Sequence, residues 1–564
     1  MSQVRLWPWT GGTHFLDRLR IGLRQYGDWL VSLALVATTL AYAFLYVGLD
    51  RPPFEDAAML MRYAENLAHG HGIVWNIDEP PIDGATDFLF MTSAAGLVRL
   101  GIATGRAVRL LGLSAHLITV LLVYWINRRL WSAGLALSLV TALYLALGTG
   151  AWYVAAYFGT PFFALFAAVT WWLGLLLMRT DAPPSWNTWG FALAGLLTGL
   201  VRPEGVLLSG LMLLSVVLAR GWVRSRLIVV RFAAVMLILG GAYFVWHWGY
   251  FGHPLPNPYY KKGAGLLHWD SFKESLGYLL RFAGPFCLAF ILGLRSRHTM
   301  LRAIAFSLPL VLFAASFILI SNETNFGGRF QYALWPLILM CFYPLVRGVP
   351  VELGLSWPPA KQHLARGVWI AAAVAIAAAS LWYGATQACR LTAQQQSCSI
   401  AYEADGRLDV ARLLADYRGN QYVVATTEAG LLPLYSGWTA IDTWGLNDAW
   451  IAHNGEVTAE YLDRYHPQLI VFHAYFSPLV PASRAEKDLA HGWHRMTLTL
   501  LDYAESRGYI LAAAFGDSPY ESHYYYVRAD FADSERIAGE IARLKDYRWF
   551  ATGKKALNYA DLPR

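Results

Sequence analysis

The stretch DWLVSLALVATTLAYAFLYVGL at residues 28–49, followed at once by DRPPFEDAAMLMRYAENLAHGHG at 50–72, decides the fold. Past Asp28 the first segment carries no charge, and it has the roughly 20 apolar residues that a membrane-crossing helix needs. It is longer than the core of a signal peptide and lacks an obvious small-residue cleavage site, so it reads as a first membrane helix behind Arg18, Arg20 and Arg24. The second segment switches abruptly to charge. Glu55 and Asp56 follow an extended Pro52-Pro53-Phe54, and Leu60, Tyr63 and Leu67 then recur at helical spacing until Gly70 and Gly72. That pattern is an amphipathic helix lying at the membrane interface, with an acidic pair in its first turn.

Working outward, the same alternation runs through most of the chain. Of its 564 residues 56% are hydrophobic and 15% charged, against about 25% charged in soluble proteins. Mean hydropathy is +0.37. Eleven candidate spans follow: 28–49, 110–126, 131–147, 158–178, 189–200, 206–219, 232–248, 276–294, 303–320, 332–346 and 368–383. The 24 Trp and 31 Tyr gather near the ends of apolar runs, where amphipathic rings suit the headgroup level. A net charge of +7 does not point to nucleic acid, because Lys and Arg fall in short loops between apolar segments and act as topology signals.

With the N-terminus inside, the inner loops receive Arg128 and Arg129, Arg179, Arg220 to Arg226, Arg295 to Arg302, and Arg347 to Arg366. This requires 88–102, interrupted by Arg99, to lie along the interface. The opposite loops then hold the unusual polar chemistry. Loop 50–87 carries Asp50, Glu55, Asp56, Glu65, Asp78, Glu79, Asp83 and Asp87 against Arg51 and Arg62, and the other outer segments hold Arg202-Pro203-Glu204, Lys261 with Lys262, and Arg329. After Gly384 the composition becomes that of a soluble domain. Residues 421–425 and 469–472 read as buried strands and 533–545 as an amphipathic helix, which together suggest a small α/β domain. Cys287 and Cys341 sit in apolar segments as packing residues, whereas Cys389 and Cys398 would be able to pair in an oxidising compartment.

These residues suit one chemistry. A carboxylate at the membrane surface, Glu55 or Asp56, can take the proton of an acceptor hydroxyl while its oxygen attacks a sugar carbon. Arg202, Lys261, Lys262 and Arg329 can hold the phosphate that leaves, Arg through parallel hydrogen bonds and Lys as a mobile point charge. Blander roles compete. Acidic first turns are favoured by the helix dipole, and Lys or Arg near helix ends commonly reach for headgroups. Arg202 and Glu204 interrupt an apolar stretch, where charge is costly enough to imply either function or mutual pairing.

The run Phe54-Glu55-Asp56-Ala57-Ala58, then Arg62-Tyr63-Ala64-Glu65-Asn66-Leu67 and Gly70-His71-Gly72-Ile73-Val74-Trp75-Asn76, resembles the first outer loop of GT-C glycosyltransferases related to mycobacterial arabinofuranosyltransferases. So do Arg202-Pro203-Glu204-Gly205, Pro256-Asn257-Pro258-Tyr259-Tyr260-Lys261, Gly327-Gly328-Arg329-Phe330 and Asp442-Thr443-Trp444-Gly445-Leu446-Asn447-Asp448, in the family's order along nearly the whole chain. The resemblance implies a polytopic α-helical GT-C domain at 1–388 with interfacial helices in 50–105, and an extracytoplasmic α/β domain at 389–564. It also implies a polyprenyl-phosphate sugar donor, with arabinofuranose as the nearest sugar, a glycan or protein acceptor, and a place in the bacterial inner membrane with the site on the periplasmic side. Glu55 stands where the family usually has the first of two Asp, and the choice of base between Glu55 and Asp56 stays open. Glu204, Asn257, Tyr259, Tyr260, His71, Trp75 and Asp442 are the expected substrate contacts. No metal-ligand spacing is present, and a divalent cation has a place only at paired carboxylates such as Asp442 and Asp448. The rival reading is a lipid transporter or flippase without sugar transfer, which would need ionisable groups lining a path through the spans.

Overall fold

The computed structural model describes residues 11–262, 267–295, 299–322, 325–347, 382, 406–473, 484–516 and 522–544. Among them, six helices are long and apolar enough to cross a membrane: Tyr26–Val47, Thr104–Leu130, Leu135–Ala155, Thr160–Arg179, Trp222–Phe251 and Met300–Ile318. A seventh is the pair Trp269–Ala283 and Cys287–Arg295 if it counts as one span, bent by 92° at Gly284-Pro285. Gly284 takes φ +46°, a conformation that suits glycine. Exposed Leu30, Leu33, Leu45, Val230, Leu237 and Val245 are apolar faces suited to lipid.

Among the described residues, six or seven of the eleven candidates therefore meet the length test. The candidates 189–200 and 206–219 become helices Ser185–Val201 and Glu204–Arg220, each of 17 residues and so about 26 Å long. They separate at Arg202, which precedes proline and takes extended backbone at φ −145°, ψ 138°. Candidate 332–346 is a broken helix, Leu334–Cys341 and Tyr343–Val346, buried along nearly its whole length. Candidate 368–383 lies outside the described residues except for Trp382, as do Cys389 and Cys398. Phe88–Arg99 has 12 residues, too few to cross.

Asp28 anchors the first long helix. Its buried carboxylate accepts from Tyr124 Oη and Arg128 Nε, both at 2.9 Å, and lies 3.2 Å from Arg129. Pairing of this kind offsets the cost of a charge in an apolar setting.

Beyond the helices stands a five-stranded sheet of β1 (Val423–Thr426), β2 (Thr439–Asp442), β3 (Leu469–His473), β4 (Ile510–Gly516) and β5 (Ser522–Val527), in the order β2-β1-β3-β5-β4. The first three are parallel, and β5 runs antiparallel to both of its neighbours, β3 and β4. Parallel strands need helical crossovers, and Leu431–Ser436 supplies the first. The sheet domain is fastened to the first outer loop through buried Arg62. Its guanidinium donates to the carbonyls of Trp75 at 2.8 Å and Trp438 at 2.9 Å, to Asn76 Oδ1 at 2.9 Å, and to the Pro433 carbonyl. Asn76 exchanges two hydrogen bonds with the backbone of Ala440, at 2.9 and 3.0 Å. The acidic loop is thus held in place by the domain it faces.

Candidate active site

The helix Glu55–Ala68 begins where Pro52-Pro53 and an extended Phe54 release the chain, which puts Glu55 and Asp56 in its first turn. Neighbouring helix residues point about 100° apart, and here the divergence separates two tasks. Glu55 turns toward the sheet domain. Its Oε1 accepts from Arg407 Nη1 and its Oε2 from the Leu431 amide, both at 2.9 Å. Gly430 permits this approach, since a Cβ there would lie 2.2 Å from Glu55 Oε2. Asp56 turns the other way and pairs with Arg329.

Arg329 is delivered by two successive left-handed glycines, Gly327 at φ +63° and Gly328 at φ +77°. A Cβ on Gly328 would sit 2.4 Å from the Tyr278 ring, which is why the turn calls for glycine. The Arg329 guanidinium lies 4.3 Å from the Phe158 ring centroid and 5.0 Å from that of Phe330. Arg202 lies at the same 5.0 Å from Phe330, so one aromatic ring serves two cations. Arg202 also donates from Nε to Glu204 at 2.6 Å and from Nη1 to Asp87 at 2.8 Å. Burial pushes the Asp87 carboxyl up, Arg202 pulls it down, and the net direction is upward.

These groups line one cavity of about 410 Å³, within the usual range for small-ligand sites. Asp56, Asp87, Arg202, Glu204, Lys262, Arg329 and Tyr259 supply its polar and aromatic lining, and Leu207, Leu255, Phe317, Leu319 and Ile320 form an apolar flank. The volume suits a sugar phosphate.

Comparison with known proteins gives three results. Residues 394–533 match a family model described as "Domain of unknown function (DUF8728)". No curated protein matches the chain. A crystal structure of ArnT from Cupriavidus metallidurans bound to undecaprenyl phosphate superposes at a TM-score of 0.57 and 14% identity, covering 89% of this chain and 98% of that one. The same protein in the apo state gives 0.59 and 15%, covering 90% and 98%. The chain shares the ArnT fold. At that identity the likeness is one of architecture alone: a polytopic helical fold with a C-terminal β-sheet domain.

The other expected site residues fall outside the cavity lining. Asn257 is buried and donates to the carbonyls of Gly445 and Leu446 at 2.9 Å and of Asp448 at 3.3 Å, clamping the 442–448 loop against the outer segment. Lys261 donates to the Gly455 carbonyl at 2.6 Å and lies over the Trp444 ring. Tyr260 packs on His453. His71 is exposed. Trp75 is buried with Arg62 over its ring and donates to the Ala440 carbonyl at 3.1 Å.

Asp442 staples its own loop. One oxygen accepts from the amides of Trp444 and Gly445, and the other from the Asn447 amide and side chain, at 2.8 to 3.2 Å. Burial pushes its carboxyl up to about 6, which leaves it ionised at neutral pH to receive four donors. Asp448 accepts from the Ile451 amide at 2.9 Å and from Tyr461 Oη at 2.6 Å. These two carboxylates, the pair offered to a divalent cation by the sequence, thus face N–H and O–H donors. Asp442→Asn would turn an amide NH₂ toward donors already present, and we expect a loss of about 1–3 kcal/mol, read as a lowered Tm of the purified chain.

Asp87 is a charged lining residue that the sequence did not mark as a site. Its signal was weak: one acid among eight in the loop, placed just before the apolar helix Phe88–Arg99.

Proposed function

We propose that the chain transfers a single sugar from a polyprenyl-phosphate donor to a hydroxyl of an extracytoplasmic glycan or protein, working in the bacterial inner membrane with the cavity and sheet domain on the periplasmic side. The observation that carries this reading is the pairing of Asp56 with Arg329 in a cavity that also holds Arg202 and Lys262. The shared architecture with ArnT, captured with undecaprenyl phosphate, supports a lipid-phosphate donor. Arabinofuranose is the first sugar to test, on the strength of the sequence resemblance.

In this mechanism the donor phosphate enters beside Arg329 and Arg202. By engaging Arg329 it releases Asp56, which then accepts the proton of the acceptor hydroxyl. The acceptor oxygen forms a bond to the anomeric carbon as the bond from that carbon to the phosphate oxygen breaks. Both electrons leave with the phosphate, whose charge the guanidiniums and Lys262 stabilise in a partly dry site. Glu55 holds the helix start against the sheet domain and so keeps Asp56 aimed.

The test is donor turnover by the full chain in proteoliposomes, using radiolabelled polyprenyl-phosphate arabinofuranose with candidate glycan and protein acceptors. Acceptor-dependent release of polyprenyl phosphate, with label in the acceptor, is the expected result. Movement of intact donor between leaflets with no loss of label from the lipid would replace this reading with transport.

A further inference from the structure

A second cluster stands at the end of the sheet domain, outside every motif named above. His473 closes β3 and His523 lies in β5, directly opposite it in the antiparallel register. Residues so paired project to the same face, and the two rings stack at 4.2 Å with 17° between their planes. Glu428 joins them from the turn after β1. Hydrogen bonds from the Glu428 amide to Thr426 Oγ1 at 3.0 Å and from the His473 amide to Thr427 Oγ1 at 2.9 Å hold that turn against the end of β3.

Glu428 Oε1 lies 3.0 Å from His473 Nδ1 and 3.5 Å from His523 Nε2. All three potential ligand atoms fall within 4.8 Å of one another. Around a tetrahedral zinc with bonds of 2.0–2.1 Å, ligand atoms stand roughly 3.3 Å apart, so the two shorter separations bracket a coordination edge. The other carboxylate oxygen, Oε2, accepts from Arg407 Nη1 at 3.0 Å, and the same Arg407 nitrogen binds Glu55 at 2.9 Å. An outer partner of this kind orients a ligand carboxylate. Here it presents Oε1 to the imidazoles, while Glu55 balances the charge of Arg407.

We propose that Glu428, His473 and His523 bind a zinc-class divalent transition metal, with a solvent molecule in the fourth position. Two imidazoles and one carboxylate suit zinc better than magnesium or calcium, which prefer oxygen. His473 is 18% exposed at its side chain, which gives an ion a way in, whereas His523 is buried. The ion would brace the edge of the sheet domain that Arg407 and Leu431 tie to the start of helix Glu55–Ala68. It is a structural clasp beside the proposed transfer site, and it stands whether or not sugar is transferred. The competing account is an ion cluster in which both imidazoles simply hydrogen-bond to Glu428.

The full chain, purified in detergent and stripped with EDTA, is dialysed against buffered Zn²⁺ or Co²⁺. Expected are about one zinc per chain by elemental analysis and, with cobalt, the intense visible bands of tetrahedral coordination. His473→Gln and His523→Gln each keep a hydrogen-bonding side chain and are expected to lose both signals. Zinc below about 0.1 per chain, cobalt bands of only octahedral intensity, or zinc retained equally by the two variants would each overturn the assignment. The wild-type stoichiometry and cobalt spectrum decide the matter even if a variant fails to fold.

Discussion

An Asp56→Asn variant is expected to lose about 10²–10⁴ in turnover, the usual contribution of a positioned general base, while the protein stays folded in the membrane. The amide keeps the size of the carboxylate and an oxygen for Arg329, so the arginine retains a partner, but it cannot take the acceptor proton. Glu55→Gln sets the contrast. It weakens the bond to Arg407 and leaves the donating amide of Leu431 with a poorer acceptor, so it should lower Tm while sparing most of the turnover. Initial rates of label transfer in proteoliposomes, with Tm measured on the same preparations, distinguish the two. The reverse outcome, an active Asp56→Asn beside a folded but inactive Glu55→Gln, would move the base to Glu55.

That contrast also marks the limit of what the sequence discloses. An acidic pair opening a helix after Pro52-Pro53 is legible, because proline, helical periodicity and charge are all local. Which acid faces the cavity is not, because the answer depends on Arg407 and Arg329, which lie 352 and 273 positions away in the chain. Arg202 and Glu204 stood out because charge inside an apolar run has few explanations. Asp87 did not, since its meaning comes from Arg202 across 115 positions. The segment Pro256 to Lys261 divides between clamp and lining: Asn257 holds a loop whereas Tyr259 lines the cavity, and a one-dimensional pattern does not separate the two. Hydropathy registers a broken or buried helix as strongly as a crossing one, as at the bend at Gly284-Pro285 and in the interior helix Leu334–Cys341, so it does not by itself fix the number of spans. His473 and His523 come together through strand register alone, with no spacing motif to announce them.

The Arg202 cluster carries the other large effect. One guanidinium lies between two carboxylates, Asp87 and Glu204, with side chains only 10–14% exposed. Removing it in Arg202→Gln leaves two acids facing each other in a poorly solvated place, and breaking such a pair costs about 3–5 kcal/mol. Asp87, already pushed up by burial, would be driven further toward its neutral form once its counter-charge is gone. We expect a marked fall in Tm together with loss of transfer, an outcome that by itself does not separate folding from function. A compensated variant does. Arg202→Gln combined with Asp87→Asn and Glu204→Gln removes all three charges and keeps similar volumes, so Tm should recover toward the wild type. If Arg202 holds the leaving phosphate, transfer by this stable variant stays low, with the donor KM raised and turnover reduced. Near-normal turnover would instead make Arg202 a counter-ion for the two acids and leave Arg329 and Lys262 to bind the donor.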